Sequence, residues 1–165
     1  MLTRELFIKL QQHMNLEYLS SGIYIATSSM FSEYGLFESA QISRRLAQYS
    51  VTRLMRFNEF LKKYQHDPCI LQNVPFFDIS ELSMEDKIHE LLFDYRARNH
   101  SISEIEKLSI TTNSLVTKLF IEKIRPSYNE EAELLLSSFK DGVFLNKINE
   151  KSVQYKLSGI HLCSE

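Results

Sequence analysis

Apolar and small residues recur along much of the chain at spacings of three, four and seven residues, the period of an α-helix with one buried face. In the first such stretch, about residues 2–32, the recurring positions are Leu6, Leu10, Met14, Glu17, Ser21, Tyr24 and Phe31. In the second, residues 36–64, they are Leu36, Ala40, Ser43, Ala47, Ser50, Leu54, Phe57 and Leu61. These patterns predict two long helices that pack antiparallel, because only a few residues around Gly35 join them.

Two further long helices are predicted over about residues 83–110 and 115–140, and a short fifth helix over about residues 145–157. Their predicted inward positions are Ile88, Leu91, Leu92, Tyr95, Ile102 and Ile105 in the third helix and Leu119, Ile124, Leu134 and Leu135 in the fourth. Ser83, three residues before Asp86, has the pattern of a capping box and marks the start of the third helix.

Prolines interrupt the helical pattern at two places. Pro68 and Pro75 break the periodicity between residues 65 and 83, and this segment is predicted to run back along the other helices as one long crossover. Pro126 lies inside the fourth helix and is expected to kink it. The predicted fold is therefore an all-α four-helix bundle, a single domain over residues 1–165, with one long crossover and a short C-terminal fifth helix.

Composition narrows the class of protein. The 165-residue chain has only 4 glycines and 3 prolines, too few for the many turns of a β-sandwich. A net charge of −2 gives no electrostatic reason to expect a nucleic-acid partner, and the arginines between Arg44 and Arg56 do not share one helix face. Two cysteines make no disulfide framework, and no apolar run is long enough to span a membrane. We expect a soluble, cytoplasmic protein.

Two carboxylates occupy positions that the helical pattern turns inward. Glu17 lies seven residues before Tyr24, and Glu131 lies four residues after Ser127 and seven before Ser138. Burying an unpaired carboxylate costs several kcal/mol, so each needs a cation, a proton or a hydrogen-bond donor. Helices that aim glutamates into a bundle are typical of carboxylate-bridged di-iron sites, although such sites also need Glu-x-x-His on the other helices, which is absent.

Three stretches of the chain resemble the bacterial non-haem ferritins. They are Gln12-His13-Met14-Asn15-Leu16-Glu17 leading into Ser20, Ser21 and Tyr24; Arg44-Arg45-Leu46-Ala47-Gln48 leading into Thr52; and Gly142-Val143-Phe144-Leu145-Asn146-Lys147. The resemblance extends over nearly the whole chain. It implies a ferritin-like fold, a homo-oligomeric shell of twenty-four subunits, and storage of a ferric mineral after Fe(II) is oxidised at a di-iron centre within each subunit.

Most of the ligands that the resemblance implies are replaced in this chain. Glu17 and the neighbouring Tyr24 are retained. The Glu-x-x-His of the second helix falls on Ser50 and Arg53, and the bridging glutamate of the third helix falls on Tyr95, to within one residue. The Glu-Gln-His-Glu-Glu of the fourth helix falls on Ser127, Tyr128, Asn129, Glu130 and Glu131. The carboxylates left as candidate iron ligands are Glu17, Glu130 and Glu131, and no tightly bound iron pair is expected.

Arg53 suggests what takes the place of the metal. A fixed positive charge repels Fe²⁺ at low dielectric, and a guanidinium can neutralise two carboxylates by itself. We therefore expect Arg53 to pair with Glu17, and with Glu131, across the bundle. Tyr95 and Tyr128 are interpreted as filling the remaining volume, and His13 and His100 as surface or interface residues.

Three functions follow from these residues. The first is a shell subunit of intracellular iron storage with a degenerate ferroxidase centre, in a homo-oligomer or in a mixed shell with an active ferritin subunit. The second is a slow ferroxidase that uses Glu17, Glu130 and Glu131 at a single iron. The third is a metal-free ferritin-like scaffold or interaction protein. Arg53 argues against the second function, since an iron site does not tolerate a guanidinium within ligand distance.

Overall fold

The computed structural model describes residues 2–64 and 82–140, which form four long helices: α1 (Arg4–Glu33), α2 (Phe37–Tyr64), α3 (Met84–Thr111) and α4 (Leu115–Lys140). The all-α four-helix architecture predicted from the sequence is confirmed for these residues. The crossover predicted over residues 65–83 and the fifth helix predicted over residues 145–157 lie largely or wholly outside the described residues. That residues 1–165 make one domain stays a prediction.

The helix ends follow from local sequence. The backbone of Gly35 has a positive φ of 73°, and the N–H of Leu36 bonds back to the carbonyl of Phe31 at 2.8 Å, which makes a Schellman cap at the end of α1. Asn113, with φ 53°, ends α3 in the same way. Ser83 caps α3 by accepting a hydrogen bond from the N–H of Asp86 at 3.1 Å, as its sequence predicted.

Contacts across the bundle give the direction of each helix. Residue numbers rise along α1 as they fall along both α2 and α3, so both are antiparallel to α1. The pairs that fix these directions are Ser28–Ala40 and Glu17–Arg53 for α2, and Ser20–Asp94 and His13–Ser101 for α3. The helices α2 and α3 therefore point the same way, and Tyr64 and Met84 lie at opposite ends of the bundle.

Two apolar clusters fill the two ends of the bundle and leave a polar layer between them. One cluster contains Leu6, Leu10, Met14, Phe57, Leu61, Ile102, Ile105, Ile121 and Ile124. The other contains Met30, Phe31, Ala40, Leu46, Ala47, Ile88, Leu91, Leu92 and Leu135. Burial of these side chains supplies the main driving force for folding. The two clusters also separate the polar layer from solvent at both ends of the bundle.

One position of α4 differs from the prediction. Leu119, predicted to point inward, is 47% exposed, because it lies off the buried stripe that runs through Ile121, Ile124 and Leu135. The helix continues through Pro126, whose side chain is exposed, and the kink expected at this residue stays a prediction. None of the helices in the described ranges combines the length and apolar character needed to cross a membrane.

Candidate functional site

All four helices contribute side chains to the polar layer in the middle of the bundle. The residues are His13, Glu17, Ser20 and Tyr24 on α1, Ser50 and Arg53 on α2, Asp94, Tyr95 and Arg98 on α3, and Ser127, Tyr128 and Glu131 on α4. Glu17, Arg98 and Glu131 are 0% exposed, and Arg53 is 1% exposed. Charged side chains are almost never buried this completely unless they are paired, so their pairing decides what the layer can do.

Arg53 bridges the two buried glutamates, as expected from the sequence. Its Nε donates to Glu17 Oε1 at 3.0 Å and its terminal nitrogen to Glu131 Oε2 at 2.7 Å. Further bonds go to the Ser50 hydroxyl at 3.2 Å and to the hydroxyl and carbonyl of Ser127 at 3.4 Å. The predicted pairing of Arg53 with Glu17 and Glu131 is therefore confirmed by the geometry.

A second buried guanidinium, that of Arg98 on α3, was missed by the sequence reasoning. Its nitrogens bind both oxygens of Glu131, at 2.5 and 2.9 Å, and Asp94 at 2.8 Å. The signal that could have found it is the spacing already used for Glu17: Arg98 lies seven residues after Leu91 and seven before Ile105, both of which are buried. The layer thus contains two arginines where the sequence analysis expected one.

Two tyrosines complete the hydrogen bonding of the glutamates. The hydroxyl of Tyr128 donates to Glu17, and that of Tyr24 donates to Glu131. Each ring also lies beside a guanidinium, Tyr128 at 4.3 Å from Arg53 and Tyr24 at 5.7 Å from Arg98. Each glutamate therefore has one tyrosine donor and faces both arginines, and Tyr128 does more than fill volume.

The electrostatics of the layer keep both glutamates ionised. Burial alone would raise the pKa of Glu17 and Glu131, but the guanidinium groups of Arg53 and Arg98 hold the pKa of each below its ordinary value. Burial alone would lower the pKa of the two arginines, but the surrounding carboxylates raise it. Asp94 behaves differently, since burial raises its pKa in spite of Arg98.

His13 was expected at the surface or at an interface and is instead 0% exposed within the bundle of a single chain, so that interpretation was wrong. Its Nδ1 lies 2.9 Å from the hydroxyl of Ser101, and its Nε2 lies 2.6 Å from that of Tyr128 and 3.3 Å from Glu17. Because Tyr128 gives its only proton to Glu17, the network assigns the ring proton of His13 to Nε2. Burial lowers the pKa of His13, although Glu17 opposes the shift, so the imidazole is neutral.

The buried neutral state of His13 predicts a pH-dependent loss of stability. The folded pKa lies below the unfolded value of 6.5, so the unfolded chain takes up a proton first as the pH falls. Between about pH 7.5 and 5.5, the wild type should lose up to about 1.4 kcal/mol per pH unit through this one group. Urea unfolding of His13→Gln should show a smaller slope against pH.

The exposed His100 offers a matched control for this experiment. His100→Gln should keep the pH slope of the wild type, because it leaves the buried contacts of His13 with Ser101 and Tyr128 unchanged. A His13→Gln protein whose slope equals that of the wild type would show that His13 takes up its proton equally well in both states, against the structure.

Only some of the candidate iron ligands on α3 and α4 lie in the polar layer. Glu131 points into the layer, whereas Glu130 is exposed, since neighbouring residues on a helix lie about 100° apart. On α3 the buried carboxylate is that of Asp94, one residue before the predicted position, and it accepts a bond from Ser20. Tyr95 is also buried and donates to the backbone of α4 at 3.3 Å. The bridging position of the third helix, placed at Tyr95 to within one residue, therefore has a buried carboxylate beside it, that of Asp94.

The residues present do not fit a pair of iron ions. Among residues 2–64 and 82–140, no group of three or more His, Cys, Asp or Glu side chains is placed so as to hold a metal ion. Glu17 and Glu131 have the anionic oxygens that a hard cation needs, but the guanidinium groups of Arg53 and Arg98 lie between and beside them. The two arginines supply the positive charge that metal ions would otherwise bring.

Comparisons with known proteins agree with this architecture. The chain is 26% identical over 144 residues to the bacterial non-heme ferritin-like protein of Escherichia coli strain K12, an alignment that covers 87% of this chain and 84% of the relative. The same identity and coverage hold for the bacterial non-heme ferritin-like protein of Shigella flexneri. No protein-family model matches the chain.

Solved structures show the same fold. A ferritin from Chlorobium tepidum superposes with a TM-score of 0.76 at 15% identity, covering 96% of each chain. An open pore ferritin from Archaeoglobus fulgidus superposes with a TM-score of 0.74 at 18% identity, covering 99% of this chain and 98% of the other. The described residues therefore have the four-helix bundle fold of the ferritins. In sequence, the chain is similar to the bacterial non-heme ferritin-like proteins.

Proposed function

We propose that this chain is a shell subunit for intracellular iron storage and homeostasis that has no di-iron oxidation chemistry of its own. Iron is the cargo of the assembly in this proposal, and its oxidation takes place on the growing mineral or in an active partner subunit. The observation that carries the proposal is the position of Arg53, whose guanidinium lies between Glu17 and Glu131 at 3.0 and 2.7 Å.

The charge of the layer supports this proposal. Oxidation at a di-iron centre needs two metal ions that share carboxylate ligands, with open positions for oxygen. Here two guanidinium groups take the carboxylate oxygens, and Ser50 and Ser127, which replace potential ligands, offer only neutral oxygens, which accept hydrogen bonds from Arg53. Binding Fe²⁺ would require displacement of a buried arginine, which would leave that arginine unpaired at low dielectric.

The assembly that we propose is a cytoplasmic homo-oligomeric shell of twenty-four subunits, or a mixed shell with an active ferritin subunit. Support comes from the ferritin-like fold over nearly the whole chain and from the large apolar side chains that remain exposed on α1 and α2. These are Ile8, Tyr18, Ile25, Val51 and Met55. Light scattering coupled to size-exclusion chromatography measures the subunit number, and a dimer or monomer would contradict the shell.

The central test is aerobic oxidation of Fe(II) by the purified assembly at a few irons per subunit, followed by ferric absorbance. We expect the initial rate to equal that of buffer, because the bundle core offers no open position for iron. A rate above buffer that saturates near one or two irons per subunit would contradict the proposal. An active bacterial ferritin, assayed in parallel at equal subunit concentration, shows that the assay detects a working centre.

A variant at Glu130 separates the slow-ferroxidase alternative from oxidation on the mineral. Glu130 is exposed, so Glu130→Gln leaves the buried network intact. If the chain used Glu130 at a single iron, this variant would lower a rate already above buffer. If the proposed function is correct, the rate of Fe(II) oxidation with Glu130→Gln and with the wild type equals the rate in buffer during the first additions of iron. Any later oxidation then rises with the amount of mineral already formed in both proteins.

A further inference from the structure

Four large apolar side chains are exposed around the turn that joins α3 to α4. They are Ile110 on α3 and Leu115, Val116 and Leu119 on α4, with exposed fractions of 58%, 66%, 38% and 47%. Among the described residues of these two helices, Phe93 is the only other large apolar side chain that is exposed to this degree. Apolar side chains exposed as a group mark a contact with another molecule, whereas a single one needs no explanation.

The local backbone brings the four side chains together. A turn of only three residues, 112–114, joins the two helices, so Ile110 and Leu115 lie close to the two ends of that turn. Leu115 and Leu119 are one helical turn apart, and Val116 lies three residues before Leu119, so these three share one side of α4. We call the set of Ile110, Leu115, Val116 and Leu119 the α3–α4 patch.

Charged side chains of both signs border the α3–α4 patch. On α4, Lys118 lies 4.0 Å from Glu122, and both are about half exposed. On α3, Lys107 lies 3.2 Å from Glu104. An apolar centre with both signs of charge at its rim can meet a second copy of itself with unlike charges in contact. A partner with one sign of charge, such as a nucleic acid, finds no matching field here.

A closed shell needs a contact surface of this kind in addition to the one on α1 and α2. The exposed apolar side chains of those two helices, among them Ile25 and Val51, supply one surface of the proposed shell. A surface that meets its own copy joins two subunits and then stops. A shell of many subunits therefore requires at least one further contact, which joins each dimer to its neighbours. The α3–α4 patch lies on the other two helices and is free to make it.

We propose that the α3–α4 patch binds a second copy of this chain and joins dimers formed through α1 and α2 into the shell. The proposal rests on the function proposed above and specifies how its subunits assemble. The driving force is the removal of apolar surface from water. A charge introduced at Leu115 or Leu119 would lose its water in the contact without gaining a partner designed for it, which should prevent the contact from forming.

Replacing Leu119 with glutamate tests the proposal. Within its own chain the new carboxylate lies four residues before Lys123, a spacing that stabilises a helix, so α4 should stay intact. Light scattering coupled to size-exclusion chromatography should show a fall from twenty-four subunits in the wild type to two in Leu119→Glu, with unchanged helical circular dichroism. Phe93→Glu, which introduces the same charge at an exposed position of α3 outside the patch, is the matched control and should keep the wild-type subunit number.

Leu115→Glu provides a second, independent variant. Leu115 is the first residue of α4, where a negative charge interacts favourably with the helix dipole. If both glutamate variants fold and keep the wild-type subunit number, the α3–α4 patch is not a contact surface and the proposal is wrong. If neither variant folds, these leucines stabilise the single chain instead of a contact, which also overturns it. A wild type that is itself a monomer or dimer contradicts the proposed shell and, with it, this contact.

Discussion

Replacing Arg53 with methionine should lower the free energy of unfolding by about 3 kcal/mol, the usual cost of removing one partner from a buried ion pair. Methionine matches much of the volume but leaves Glu17 without its 3.0 Å partner and Glu131 without one of its two. Arg98 remains beside both glutamates, which limits the loss of stability. Urea unfolding followed by far-ultraviolet circular dichroism, at a fixed protein concentration because the protein is expected to be oligomeric, measures the change.

Two companion variants identify the cause of this loss. Arg53→Met with Glu17→Gln removes one charge of each sign, returns the layer to its native net charge and should recover most of the stability. Arg125→Met removes an arginine whose pair with Glu106 is about one-third exposed, and such pairs contribute about 0–1 kcal/mol. If Arg53→Met were as stable as the wild type, the guanidinium would not be what neutralises the buried glutamates.

Acid should destabilise the protein steeply, and the buried glutamates should account for it. The folded pKa of Glu17 and that of Glu131 both lie below the unfolded value of 4.5. Each glutamate therefore contributes stability that is fully present above pH 4.5 and is lost as the pH falls toward its folded pKa. Two such groups give a slope of up to about 2.7 kcal/mol per pH unit below about pH 4.5, at up to about 1.4 kcal/mol for each.

Asp94 acts in the opposite direction. Its folded pKa lies above the unfolded value of 3.8, so the folded chain takes up this proton first and gains stability as the pH falls through that range. The slope should therefore be measured as a difference between proteins. The double variant Arg53→Met with Glu17→Gln keeps Asp94 and has one buried glutamate fewer, so its slope between about pH 4.5 and 3 should be smaller than that of the wild type by up to about 1.4 kcal/mol per pH unit.

Equal acid slopes for the double variant and the wild type would contradict the lowered pKa of Glu17. Salt separates a contribution of the buried layer from one of surface charges, because surface charge pairs are screened at high ionic strength and buried pairs are screened much less. The acid slope of the wild type should persist at about 1 M salt if the buried layer causes it.

Most of the fold and part of the site were predictable from the chain. The inward positions of Glu17, Ser50 and Glu131 follow from helical spacing, because side chains three, four or seven residues apart share a face. Arg53, three residues after Ser50, follows the same rule. The same rule places Glu130, next to the buried Glu131, on a different face of α4, where it is exposed, and its role as an iron ligand stays a prediction.

The residues missed by the sequence reasoning are those whose partners lie on another helix. His13 has no obvious ligand spacing within α1, but in the bundle it meets Ser101 and Tyr128. Arg98 has one partner on its own helix, Asp94, which lies four residues earlier. In the sequence alone, this spacing is equally typical of a solvent-exposed ion pair on a helix surface. Burial decides between these interpretations, and burial depends on the rotation of α3 against its neighbours.

The helices, their ends and the faces that they bury were determined by local chemistry along the chain: periodic apolar side chains, a serine cap and two residues with positive φ. Only the tertiary structure decided which carboxylate meets which arginine, and that three of them surround Arg98. The reason is physical: helical periodicity assigns a side chain to a face within a few residues, whereas a contact between helices also depends on their relative rotation and axial offset, which are set by packing of the whole bundle.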